Sequence, residues 1–239
     1  MKNKLMEFIM SNVMNKYMLK YRTKYSYPII MGGVNMDNCV PNNKMEVSDI
    51  DIAFVVKKKS AFKIAEANRD SLIQDIINDA DLQTFMKGEK LVEYKLYEKR
   101  PNFNISQAKV VRLKYNGEVI LDTAIYSKFN NKILGYYQKI FPKTKNYIPY
   151  YINDGIIYAT CNYVLYDIVR LILWYKNKVY QYPYTQKFKD KYDKYVLKFK
   201  LFKKLKVHED IDFNPDFIII VNNLKKYIIP EEDVIYYAL

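Results

Sequence analysis

The chain has 239 residues, half of them hydrophobic, and a formal net charge of +13. That length and apolar content allow one large domain or two small ones around a sizeable core and exclude a disordered chain. No apolar run approaches the roughly 20 residues of a membrane span. With Cys39 and Cys161 as the only cysteines and His208 as the only histidine, neither a disulfide framework nor a zinc site of about four ligands is expected, and a Ser/His/Asp triad has little to draw on.

In chain order, residues 4–21 read as an amphipathic helix with Leu5, Phe8, Ile9, Val13 and Tyr17 on one face. Lysines interrupt its apolar residues and no small-residue cleavage site follows, so it does not read as a signal peptide. A cytoplasmic protein with no membrane association is the expectation. Pro28 stops any helix, and Ile29-Ile30-Met31 is a short strand running into Gly32-Gly33. Residues 35–44 read as a polar loop. Residues 48–56, Ser-Asp-Ile-Asp-Ile-Ala-Phe-Val-Val, alternate charged and apolar residues and then become wholly apolar, as in a strand with one end at a polar site and the other in a core.

A helix is expected over about 61–77 and strands over 89–97 and 107–115. Asn116-Gly117 is a strong hairpin signal, because both residues tolerate the positive φ of a type I′ turn. The returning strand, 118–126, contains Asp122. From 156 to 175 the pattern turns helical, and the chain reads as mainly helical to about 206. His208, followed by Glu209 and Asp210, reads as a solvated loop histidine. A strand or helix over 216–222 and an apolar tail over 235–239 close the chain. The expected organisation is α+β: a mixed-sheet domain over 1–150, then a mainly helical, basic domain over 151–239.

The positive charge is uneven. Arg170 to Lys206 holds twelve Lys/Arg against two acids, with eight Tyr and Phe interleaved from Tyr180 to Phe202. Lysines that contact phosphates beside aromatic rings that stack on bases suit a single-stranded nucleic acid, and Lys198, Lys200, Lys203 and Lys204 are the candidate contacts. A basic helix face solvated outside and aromatic inside, bred by an AT-rich genome, accounts for the segment equally well.

Aspartates at i and i+2 on a strand point to one face, so Asp49 and Asp51 present two carboxylates together. Such a pair bridges two divalent cations, Mg2+ or Mn2+, in phosphoryl-transfer sites, where a few carboxylates plus substrate phosphates complete the coordination. Asp122 lies within the apolar strand Val119-Ile-Leu-Asp-Thr-Ala-Ile125, where an unpaired charge is costly, and is the candidate third ligand. Gly32-Gly33 lets backbone amides approach a triphosphate closely. Asp210-Ile211-Asp212 has the same spacing, but Asn214-Pro215 interrupts it and no Gly-Gly precedes it, so it reads as a loop.

Gly32-Gly33 followed by Ser48-Asp49-Ile50-Asp51 and a later Asp122 resembles the signature of the nucleotidyltransferase superfamily that includes DNA polymerase beta and the poly(A) polymerases. The form of the motif and the run from Ile157 to Arg170 look most like the poly(A) polymerase catalytic subunits of poxviruses and giant DNA viruses. The resemblance spans about residues 27–176. It implies a nucleotidyltransferase domain in which Asp49, Asp51 and Asp122 bind the metals and Asp122 helps deprotonate the incoming hydroxyl. Gly32 and Gly33, with Ser48 standing in for the serine many members carry, would bind the nucleotide. It further implies template-independent transfer of AMP from ATP to RNA 3′ ends, alone, as a homodimer or with an accessory subunit. A nucleotide second-messenger synthase or small transferase with the same carboxylates, and an inactive RNA-binding subunit, are the alternatives.

Overall fold

β1 (Ser26–Met31) and β2 (Ile50–Val56) are buried almost throughout and form the centre of the sheet. The structure, a computed structural model, describes residues 1–40, 47–98, 108–127, 148 and 150–204. By internal contacts it divides into two compact units, with the boundary in the main chain between Thr160 and Cys161 and residues 37–40 joining the second unit.

The first unit is built on a mixed seven-stranded sheet in the order β3-β4-β5-β2-β1-β7-β6, flanked by helices, and is an α+β architecture. Its outer strands are β3 (Val92–Glu98), β4 (Ala108–Tyr115) and β5 (Glu118–Ser127) on one side. On the other side are β6 (Tyr150–Asn153) and β7 (Ile156–Ala159). β2 pairs with β5 and β1 with β7 in parallel; the remaining pairs are antiparallel. Asn116-Gly117, with φ of 49° and 83°, makes the expected tight turn between β4 and β5.

Helix α4 (Phe62–Ile77) lies on the sheet through Ala65, Leu72, Ile73 and Ile76, all buried. Apolar burial of this kind contributes roughly 1.5–3 kcal/mol for each large side chain. The N-terminal helical run begins as α1 (Lys2–Phe8), widens into a π-helical turn over Ile9–Val13, and continues as α2 (Met14–Tyr17) and a 3-10 turn over Met18–Tyr21. The wider turn advances the buried stripe, which passes from Leu5, Ile9 and Val13 to Met14, Met18 and Tyr21. That shift leaves Tyr17, expected in the apolar face, with its hydroxyl donating to Asp79. Phe8 stacks on Phe85, 4.3 Å between centroids, from the short helix α5 (Ala80–Met86).

Three sequence expectations are corrected. The segment read as a loop from residue 35 begins instead as helix α3 (Gly32–Cys39), anchored by Asn35 donating through Nδ2 to the Ala159 carbonyl. Residues 156–159, read as the start of a helix, form β7 after an Asp154-Gly155 turn with positive φ at both positions. Cys39 and Cys161 are not independent thiols; they form a disulfide, Cα–Cα 5.4 Å, across 122 residues of sequence. His208, the Asp210/Asp212 pair, the 216–222 segment and the C-terminal tail lie outside the described residues.

The described part of the second unit is dominated by α6 (Cys161–Gln181) and α7 (Gln186–Lys204). Tyr163, Val164, Leu165, Tyr166, Ile168, Val169 and Ile172 are buried along α6. Tyr175 of α6 stacks on Tyr195 of α7 at 5.6 Å, and Phe188 of α7 meets both Tyr175 and Tyr182 of the turn that joins the two helices. No described helix is long and apolar enough to cross a membrane.

Asp79 ties the N-terminal helices to the rest. It caps α5 by accepting from the Leu82 amide and also accepts from Lys16 Nζ and the Tyr17 hydroxyl, each at 2.9 Å. Burial pushes its carboxyl up, but those three donors more than offset this and hold it below the ordinary value. A depressed folded-state value stabilises the fold fully above the ordinary carboxylate range near pH 4, and the contribution is lost as pH falls below it. Asp79→Asn should therefore flatten the acid side of the stability–pH curve measured by urea unfolding. Asp79→Ala should cost at least about 1 kcal/mol at neutral pH through the lost cap alone; unchanged midpoints in both variants would refute this role.

Candidate active site

Asp51 stands on β2 opposite Asp122 of β5, in register across a parallel pair, so both carboxylates leave the same face of the sheet. Asp49 sits just before β2 begins. One carboxylate oxygen from each of Asp49, Asp51 and Asp122 lies within 4.8 Å of the others, a spacing at which three anions repel unless a cation lies among them. Asp122 is buried, at 8% exposure, whereas Asp49 and Asp51 are half-buried. Three hard oxygen donors with an open side fit an octahedral divalent ion such as Mg2+ or Mn2+ rather than zinc.

A one-residue irregularity in the β4–β5 ladder places Asp122. Counting outward from the Asn116-Gly117 turn, Tyr115 pairs with Glu118 and Lys114 with Val119, but Leu113 pairs with Leu121 and Arg112 with Asp122. Ile120 is the extra residue. Were Ile120 instead paired with Leu113 in an unbroken register, Asp122 would fall opposite Val111 and leave the other face of the sheet.

The shift also gives Asp122 a partner that the sequence did not suggest. Arg112 donates to its Oδ2 from both Nε and Nη2, each at 3.2 Å. A guanidinium that grips one oxygen from two nitrogens fixes the plane of the carboxylate. Ser48, exposed, donates to Asp49 Oδ1 at 2.5 Å.

Gly32 and Gly33 open helix α3, immediately after β1, so the orphan amides of the first turn lie at the strand end beside Asp51. Gly32 has φ +67°, and a Cβ added there would come within 2.0 Å of Asp51 Oδ2. The carboxylate occupies the space that any side chain at 32 would need. Glycine is required twice, for the backbone and for the ligand.

Four of the candidate residues thus meet around one point: Gly32, Asp49, Asp51 and Asp122, with Gly33 and Ser48 adjoining. The candidate nucleic-acid lysines belong to α7. There Lys200 is exposed, whereas Lys198 is buried, at 8% exposure, with its ammonium 5.7 Å from the Tyr195 ring centre. The side chains of Lys203 and Lys204 lie outside the described residues.

No protein-family model and no curated protein matches the chain. Among solved structures it is similar to the Megavirus polyadenylate synthase, at 10% identity and a TM-score of 0.42, over 94% of this chain and 33% of that one. The chain thus spans about a third of the Megavirus protein's length. It is also similar to an antigenic nucleotidyltransferase-like protein from Paracoccidioides brasiliensis, at 10% identity and a TM-score of 0.40, over 94% of this chain and 88% of that one.

Gly32→Ala should fail for both reasons at once, and Gly117→Ala, at φ +83° with open space around it, separates them. Each should lose about 1 kcal/mol or more of stability to backbone strain. Only Gly32→Ala should also weaken Mn2+ binding, read by calorimetric titration, because it displaces Asp51. Wild-type Mn2+ affinity in Gly32→Ala would contradict the close packing.

Proposed function

We propose that this protein is a metal-dependent nucleotidyltransferase that moves AMP from ATP to the 3′ end of a single-stranded RNA. The observation that carries the reading is the convergence of Asp49, Asp51 and Asp122 within 4.8 Å beside the Gly32-Gly33 start of α3. A lone Asp-x-Asp or a lone Gly-Gly supports little; their meeting in space with a third carboxylate distant in sequence supports a nucleotide site.

Asp49, Asp51 and Asp122 are the residues that would hold Mg2+ or Mn2+. Divalent cations bound there supply charge neutralisation for the triphosphate and lower the pKa of the attacking hydroxyl. The amides at Gly32 and Gly33 face the anionic triphosphate with no side chain between, and Ser48 adds a hydroxyl at the same edge. Asp122, its plane fixed by Arg112, receives the proton of the acceptor's 3′ hydroxyl. That oxygen bonds to the α-phosphorus as the bond to pyrophosphate breaks.

The RNA part of the reading rests on the basic aromatic segment. Lys187, Lys189 and Lys200 on α7 are exposed, and exposed lysines on a polynucleotide phosphate chain release counterions on binding. Lys203 and Lys204 extend the same stretch of sequence, whereas buried Lys198 suits a packing role better than a phosphate contact.

Two measurements test this. Incubated with labelled RNA, a divalent cation and each NTP separately, the wild-type protein should extend 3′ ends with ATP, and Asp51→Asn should be slower by about a thousandfold or more. Extension by Asp51→Asn at the wild-type rate would rule out the mechanism, and a wild-type product made without RNA would point to a small-molecule acceptor. Changing Lys187, Lys189 and Lys200 together to Gln should reduce the salt slope of RNA binding by up to about 2, at about 0.7 per phosphate for single strands. A slope identical to wild type would leave α7 as a solvated face.

A further inference from the structure

The register of the sheet sets a row of side chains leading away from the carboxylates. Asp51 pairs with Asp122, Asp122 with Arg112, and Arg112 with Tyr94, so all four stand on one face, on the neighbouring strands β2, β5, β4 and β3. Gly32-Gly33 follows β1, on the opposite side of β2 from this row. With strands about 4.8 Å apart, Tyr94 stands about 10 Å beyond Asp122.

The outer end of that row is open. Tyr94 is 45% exposed and Val92 50% exposed, although both are large and apolar. Lys114, paired with Val92, holds its ammonium 4.3 Å from the centre of the Tyr94 ring. The hairpin sorts its charges by face. On the far face Glu93 binds Gln74 and Lys95, and Lys95 also reaches Asp70. On the near face, between Val92 and Leu96 and between Val110 and Lys114, there are two cations, Arg112 and Lys114, and no carboxylate. Arg112 is held by Asp122, so the aromatic ring of Tyr94 and the ammonium of Lys114 beside it form the surface for a base and its phosphate.

We propose that this face of β3 and β4 seats the 3′-terminal segment of the single-stranded polynucleotide acceptor, with a base stacked on Tyr94 and a phosphate at Lys114. The proposal rests on the nucleotide-transfer reading and adds a direction to it. The nucleotide enters from the Gly32-Gly33 side of Asp51, and the acceptor lies along Asp122, Arg112 and Tyr94. The charge is complementary to a polynucleotide, and the surface is continuous with the carboxylates through Arg112.

The test is fluorescence anisotropy with a labelled single-stranded oligoadenylate, alongside calorimetric titration of Mn2+ and ATP. Tyr94→Ala should weaken oligonucleotide binding about tenfold, within the range of one lost stacking contact, and Tyr94→Trp should restore it. Lys114→Gln should weaken it and lower the salt slope, and none of the three should change the Mn2+ or ATP titration. Wild-type oligonucleotide affinity in Tyr94→Ala and Lys114→Gln would overturn the proposal. So would a Tyr94→Ala effect confined to self-association, seen by sedimentation, which would make β3 an edge for a second copy. Failure of the wild-type chain to bind Mn2+ and ATP at all would instead remove the nucleotide-transfer reading on which the proposal stands.

Discussion

The candidate site depends on one extra residue in a β-ladder. Strands alternate their side chains with a period of two, so the face on which Asp122 emerges is fixed by its register against β4. The irregularity at Leu113/Lys114 moves that register by one, turning Asp122 toward Asp51 and away from the face that α4 covers. The same step brings Arg112 alongside. A bulge is a local loss of ladder hydrogen bonding, and here it re-aims Asp122 toward two other carboxylates.

Around that constraint the fold concentrates like charge where the backbone leaves room for it. Asp51 lies against the bare Cα of Gly32, and Gly32 opens the helix whose first turn begins at the same end of β1. The partial positive charge of a helix start favours anions nearby. Arg112 on the opposite side of the row offsets part of the repulsion among the three carboxylates and holds Asp122 at 3.2 Å. The rest of the first unit supplies rigidity. β1 and β2 are buried along their lengths, and the N-terminal helices are pinned through Lys16, Tyr17 and Asp79.

Much of this was legible in the sequence because the signals were local. The β2 strand, the Asn116-Gly117 turn and helix α4 follow from periodicity and turn chemistry, and the Asp49/Asp51 pair from strand alternation, whereas Asp122 was read from a charge set in an apolar strand and from the family resemblance. What escaped has identifiable causes. Helix α3 was hidden because Asn35, Asp37 and Asn38 are poor helix formers that favour loops; the bond from Asn35 to Ala159 is tertiary and leaves no local trace. β7 was absorbed into the following helix because a four-residue apolar run cannot be assigned by period, although Asp154-Gly155 before it is a hairpin signal of the Asn-Gly kind. Arg112 was missed because counting from the turn places Leu121 opposite it. The pairing of Cys39 with Cys161 spans 122 residues, and no spacing rule reaches so far.

The central claim is that Asp49, Asp51 and Asp122 form a divalent-metal site. Anomalous diffraction from crystals soaked in Mn2+ and a non-hydrolysable ATP analogue tests it most directly. The account predicts anomalous density among the three carboxylates, with the triphosphate running toward Gly32 and Gly33. Mn2+ bound elsewhere, with these carboxylates making no contact to it, would contradict it.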